Sequence, residues 1–214
     1  MKKLLTLTIV LGVIATGCKK ETIDPTPDPT PVSGNSNGAL AAFFTQNAPA
    51  VQTFTVNTAA PQLITGLQGT RVLFNANSFV DQNNQPVSGN VTIQLREVFN
   101  KKDIILSGAS TVSYGKPLIS GGEIFLMATQ NNYELRLASN NSVTVGIPTT
   151  MTSPMSNMNE FYAREINDTA DFTPVDTTQF IPIINYNQAY YYSFPISQLN
   201  WINCDYFYAL GGQQ

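Results

Sequence analysis

Along most of this chain the hydrophobic positions recur with a period of two. Between Asn90 and Val98, Val91, Ile93 and Leu95 alternate with Thr92, Gln94 and Arg96, the pattern of a strand with one buried and one wet face. The same reading predicts strands at Gln52 to Val56, Arg71 to Phe74, Asp103 to Leu106, Ser110 to Tyr114, Glu123 to Thr129, Tyr133 to Leu137 and Ser142 to Ile147. Such close spacing points to a sandwich or barrel rather than to alternating βαβ units. Turn chemistry separates the strands: the polar run Asp81 to Pro86 joins two of them, Gly121-Gly122 opens another, and Asn131-Asn132 sits where a hairpin needs residues tolerant of the left-handed region. Gly38 to Phe44 reads as a helical turn or two.

Past Pro148 the texture changes. Thr149 to Asn159 reads as a loop, Phe161 to Glu165 as a strand, and Asn167 to Thr178 as a polar, loop-like stretch. An aromatic-rich end follows, with Tyr190, Tyr192 and Phe194 on one face of a strand. The predicted architecture is all-β: an antiparallel β-sandwich over residues 39–149 and a second, smaller β-module over 150–214, some of whose partner strands are expected to be missing.

The N-terminus breaks the pattern. Lys2 and Lys3 precede the apolar run Leu4 to Ile14, and Ala15-Thr16-Gly17-Cys18 has the small-residue form of a bacterial lipobox. A membrane span needs roughly 20 apolar residues, so this shorter run suits a signal peptide, residues 1–17, cleaved before a lipidated Cys18. An ordinary secretory signal makes no demand for Cys after the cut. Acyl chains on Cys18 imply permanent attachment to a membrane. Residues 18–38 contain Asp-Pro-Thr-Pro-Asp-Pro-Thr-Pro and then Ser, Gly and Asn, the composition of a disordered tether that is extended where Pro-rich. The lipobox implies a bacterial cell envelope, and the outer membrane is the expected location, with the periplasmic and surface faces both open.

Removing Lys2 and Lys3 leaves nine Lys and Arg against fourteen Asp and Glu, a formal charge near −5. Nucleic acid is a poor partner for such a chain, because affinity for it comes mainly from Lys and Arg at phosphates. The expected partners are the membrane, through the lipid, and an envelope protein or glycan. With no His in the chain, Ser-His-Asp and Cys-His pairs and the commonest zinc ligand are absent. Once Cys18 carries lipid, Cys204 has no intramolecular partner and reads as a buried thiol, with a reactive thiol or an intermolecular disulfide as the alternatives. No cofactor is predicted.

Carboxylates are the remaining acid/base equipment. Glu97, Asp103 and Glu123 fall near predicted strand ends, and a pair about 5 to 10 Å apart suits glycoside hydrolysis. Glu97 is expected instead to pair with Arg96, Lys101 or Lys102. Asp81, Asn83 and Gln85 have the one-apart spacing of calcium-loop ligands, yet carry one charge and lack a closing Glu, as in a plain turn. Tyr190, Tyr192, Trp201 and Tyr206 form either core or a ligand surface for stacking on sugars. Asp168-Thr169-Ala170 and Asp176-Thr177-Thr178 resemble sites of O-glycosylation in envelope proteins of Bacteroidota, which makes Thr169 and Thr177 candidate acceptors.

Several stretches carry a wider resemblance: Gly69-Thr70-Arg71-Val72, Phe74 to Asp81, Pro86 to Ile93, Leu95 to Val98, Asp103 to Gly108 and Gly121 to Ile124. Together with Trp201-Ile202-Asn203-Cys204-Asp205 they resemble Bacteroidota lipoproteins of unknown function. Lys19-Lys20-Glu21 is similar to export tags that send some such lipoproteins to the cell surface. The order of strands and turns is also similar, more distantly, to the β-sandwich of ankyrins and netrin receptors. Self-cleavage at a His-Phe-Ser motif, known in that broader group, is not implied for a chain without His. In the resembling family the chain continues past the Trp-Ile-Asn-Cys-Asp segment, so the resemblance leaves open whether Gln214 is the native C-terminus or a truncation. The function expected from all this is non-enzymatic: a lipid-anchored protein presenting a β-sandwich for interaction or structural support. A carbohydrate-binding accessory lipoprotein using the C-terminal aromatics is the alternative.

Overall fold

The computed structural model describes residues 36–108, 111–139, 141–149, 154–166 and 169–208. Cys18, the signal segment and the tether up to residue 35 lie outside the described residues, as do Asp168 and residues 209–214. The predicted helical turns belong to α1 (Ser36–Asn47), which also takes in the last residues assigned to the tether.

Among the described residues fifteen strands follow, antiparallel in every pairing. They are β1 (Gln52–Asn57), β2 (Gln62–Thr65), β3 (Arg71–Phe74), β4 (Phe79–Val80), β5 (Asn90–Val98), β6 (Val112–Ser113), β7 (Lys116–Gln130), β8 (Tyr133–Glu134), β9 (Arg136–Leu137), β10 (Val143–Thr149), β11 (Asn159–Ile166), β12 (Thr169–Pro174), β13 (Ile183–Tyr186), β14 (Ala189–Ile196) and β15 (Asn200–Phe207). One sheet, A, runs β1-β5-β7-β15-β11-β12, with β6 and β8 also on β7; a second, B, runs β13-β14-β10-β3-β2; and β4 pairs with β9. Val91, Ile93, Leu95, Ile124, Leu126 and Ile202 from sheet A meet Val72, Phe74, Val145, Ile147, Tyr192 and Phe194 from sheet B in one core. The all-β sandwich expected from period-two alternation is therefore the fold.

The expected division near residue 150 is not where the molecule divides. Strands β11, β12 and β15 extend the sheet begun by β1, β5 and β7, while β13 and β14 extend the sheet of β10, β3 and β2. The described residues from Asn37 onward form one compact unit. The polar texture after Pro148 marks longer loops, and the aromatic end supplies one central strand to each sheet instead of a module of its own.

Two local expectations also change. Asp103 to Leu106 is helix, not strand: α2 (Lys101–Ser107) is started by Asn100, whose side chain accepts from the Asp103 N–H at 3.0 Å, and is ended by Gly108 at φ 71°. These caps override the β-propensity of Ile104 and Ile105. The stretch from Thr169 to Pro174 is not loop but β12, paired along its length with β11. The Asn131-Asn132 hairpin is present, with φ of 53° and 68° linking Gln130 to its partner Tyr133. Gly121-Gly122 lies within β7 instead of opening it, where the register against β15 shifts by one residue.

Candidate functional site

Residues directly opposite in an antiparallel pair share a face, so the registers assign every strand residue to the core or the outer side. Glu97 lies opposite Ile124 and hence points inward. Its carboxylate accepts from the backbone N–H groups of Gln68 and Thr70 and from Gln52 Nε2, each at 2.8 Å. It is a latch on the β2–β3 turn, not a partner of Arg96, Lys101 or Lys102. A Cβ added to Gly66 would lie 2.6 Å from that carboxylate, which explains the glycine there.

Glu123 lies opposite Val98 and Asn203, on the outer side of sheet A. The two glutamates thus project from opposite faces and share no pocket. Asp103 is engaged with Asn100 at the start of α2. Asp81 Oδ1 accepts from the N–H groups of Asn83 and Gln85 at 2.8 Å, the geometry of a turn.

Glu123 has a companion that the sequence reading passed over. Asn203 and Asp205 project from β15 on the same outer side, and both are buried, as is Glu123. Ser120 Oγ donates to Asn203 Oδ1 at 3.2 Å, and Asn203 Nδ2 donates to Asp205 Oδ2 at 2.6 Å. Burial, reinforced by the Asp205 carboxylate, pushes Glu123 up to about 8, and burial also raises Asp205 well above the usual carboxylate range. Trp201-Ile202-Asn203-Cys204-Asp205 thereby divides by face: Ile202 and Cys204 enter the core, while Asn203 and Asp205 build this closed polar cluster. The Cys204 thiol is fully buried, and its burial pushes it up, the expected inert state.

The four aromatics proposed as one surface are split. Tyr192 is fully buried between the sheets, its hydroxyl accepting from the Met155 N–H at 3.0 Å, and Tyr206 packs against the same core. Trp201 is on the opposite side of sheet A, edge-on to Phe125 at 5.2 Å, beside the buried Leu118, Phe161 and Phe172. Strand β6 folds against β12 on that side, and the Tyr114 N–H donates to Asp171 Oδ1 at 3.2 Å. Tyr190 is 39 % exposed at the margin of sheet B. Thr177 stands exposed in a turn beside Asp176, whose carboxylate accepts from Thr178. The backbone of Thr169 is held in β12.

The described residues form at least four concavities, two of about 560 and 500 Å³ among polar loops and two smaller ones. One, of about 300 Å³, opens between Glu160 of β11 and Phe180, Ile181 and Pro182. Burial raises the Glu160 carboxyl, partly offset by a hydrogen bond from Tyr162, whose hydroxyl accepts from the Ser197 N–H at 2.9 Å. The other, about 220 Å³, lies on the outer face of sheet B. There Gly146 of β10 pairs with Arg71 of β3 and with Ser193 of β14, leaving a floor without a side chain. Leu63, Leu73, Ile184 and Tyr186 surround it at 39 to 50 % exposure. Arg71 reaches across β10 and β14 to stack on Tyr186, its Cζ 4.0 Å from the ring centroid. Tyr186 is set by the two-residue Asn187-Gln188 hairpin between β13 and β14, with φ of 50° and 66°. No sequence signal joins Arg71 to Tyr186, because four strands' worth of topology brings them together. Comparison with protein-family models, with curated proteins and with solved structures finds no match to this chain.

Proposed function

We propose that the protein is a non-enzymatic, lipid-anchored binding module of the cell envelope, held by Cys18 and its Pro-rich tether, with the outer face of sheet B as its recognition surface. The observation that carries this reading is the contrast between the two outer faces. On sheet A the large outward side chains Phe161 and Phe172 are fully buried. On sheet B, four large apolar side chains stay exposed around a glycine floor, with a stacked Arg beside them. Exposed apolar groups gathered on one patch, rather than scattered, mark interaction sites.

The carbohydrate-binding alternative is favoured in a revised form. Tyr186 and Tyr191 line the sheet B groove and supply the stacking platform that the divided set of Tyr190, Tyr192, Trp201 and Tyr206 does not. Two experiments test the proposal. Cys18→Ala is expected to move the protein from the membrane to the soluble fraction; unchanged membrane retention would sink the anchor. On a glycan array, Tyr186→Ala is expected to abolish binding that Trp201→Phe retains, and the opposite order would move the site to sheet A.

A further inference from the structure

We propose that the sheet B groove takes a carboxylated sugar residue, a uronate, whose carboxylate is held by Arg71 and whose ring lies against Tyr186 and Tyr191. This rests on the sheet B face being the recognition surface and names what it recognises. Arg71 Cζ lies 4.0 Å from the Tyr186 ring centroid, and a guanidinium over a ring face keeps its in-plane N–H groups at its edges for other acceptors. That fork matches a carboxylate with two parallel hydrogen bonds, which a Lys ammonium does not reproduce.

Charge points the same way. Among the described residues no acidic side chain lines the groove beside Arg71, although the mature chain is acidic overall. At physiological ionic strength exposed charges are screened beyond about 8 Å, so the local cation governs a single carboxylate at this spot. A phosphate polyanion needs several cations in a row, and this groove has one. The hydroxyls of Thr144 and Ser193 border the floor as donors and acceptors for ring hydroxyls, and Gly146 lets a ring approach the backbone closely. The volume, about 220 Å³, falls below the roughly 300 to 1,000 Å³ of sites for drug-sized ligands. It fits one pyranose unit of a longer chain.

The test uses the detergent-solubilised full chain in calorimetric titrations with oligomers of galacturonate, glucuronate and mannuronate, each beside its methyl ester. The ester keeps the ring and removes the charge. At least one acid oligomer is expected to bind, with its ester at least tenfold weaker, a similar loss in Arg71→Gln, partial rescue in Arg71→Lys, and weakening as salt rises. Melting temperatures within a few degrees of wild type establish that each variant is folded. Equal binding of acid and ester, lost in Tyr186→Ala, would overturn the carboxylate assignment and leave the sheet B surface standing. Binding unchanged in both Tyr186→Ala and Arg71→Gln would overturn the surface as well. No binding of any acid oligomer overturns the uronate assignment, and the glycan array then decides the surface independently.

Discussion

Glu97 and Glu123 face opposite sides of the same sheet, and this difference sets their chemistry. Glu97 is in phase with Val91, Ile93 and Leu95, so the period-two pattern already places its carboxylate inward. What the pattern does not contain is the turn at residues 66–70 that supplies its N–H donors. Replacing it by Gln exchanges an acceptor for a donor against those groups and is expected to destabilise by about 1 to 3 kcal/mol, read by denaturant unfolding. Glu123 follows different arithmetic. Its carboxyl is raised to about 8 in the fold against an ordinary 4.5, so the folded state favours the protonated form. That contribution is complete below about pH 4.5 and is lost as pH rises through about 8, on the order of a few kcal/mol in all. Melting followed from pH 5 to 9 is expected to show stability falling on this side, with a flatter profile in Glu123→Gln. An equally steep profile in the variant would assign the dependence to Asp205 or elsewhere. The Asn203 and Asp205 positions were legible as out of phase with Ile202 and Cys204, but their meeting with Glu123 depends on the β7–β15 register.

Elements were legible where local chemistry and burial agreed. The strands at β1, β3, β5 and β10 and the Asn131-Asn132 hairpin follow directly from alternation and turn residues. At α2 they disagreed: β-branched residues suggested strand, whereas Asn100 and Gly108 cap a single short helix. Short strands such as β4 and β9 carry too few residues for periodicity to register. The bulge in β7 has its own signature. Gly122 has φ of 141°, and a Cβ there would lie 2.5 Å from Ile147 Cγ2. Backbone strain and overpacking each cost about 1 to 3 kcal/mol, so Gly122→Ala is expected to lower the melting temperature by on the order of 10 °C. Gly108→Ala, strained in φ but open in space, is expected to lower it far less. Similar losses at both glycines would remove the packing half of this account.

At the scale of the whole molecule, the strands between Asn159 and Phe207 return through both sheets. Alternation predicts strands one at a time and carries no information on which distant strands pair, so a change in texture at residue 150 read as a domain boundary. The same interleaving creates the candidate surface: β3 brings Arg71, β10 brings the bare floor at Gly146, and β13 brings Tyr186. The proposed recognition surface depends on this floor staying open, and filling it is the most direct test. A Cβ at Gly146 meets its nearest neighbours, Tyr191 and Arg71, at 3.6 and 3.7 Å, which is ordinary contact, and β-branched residues suit a strand. Gly146→Val is therefore expected to melt at or above the wild-type temperature while losing glycan-array binding at least tenfold. A folded Gly146→Val protein that binds as wild type does would contradict the account.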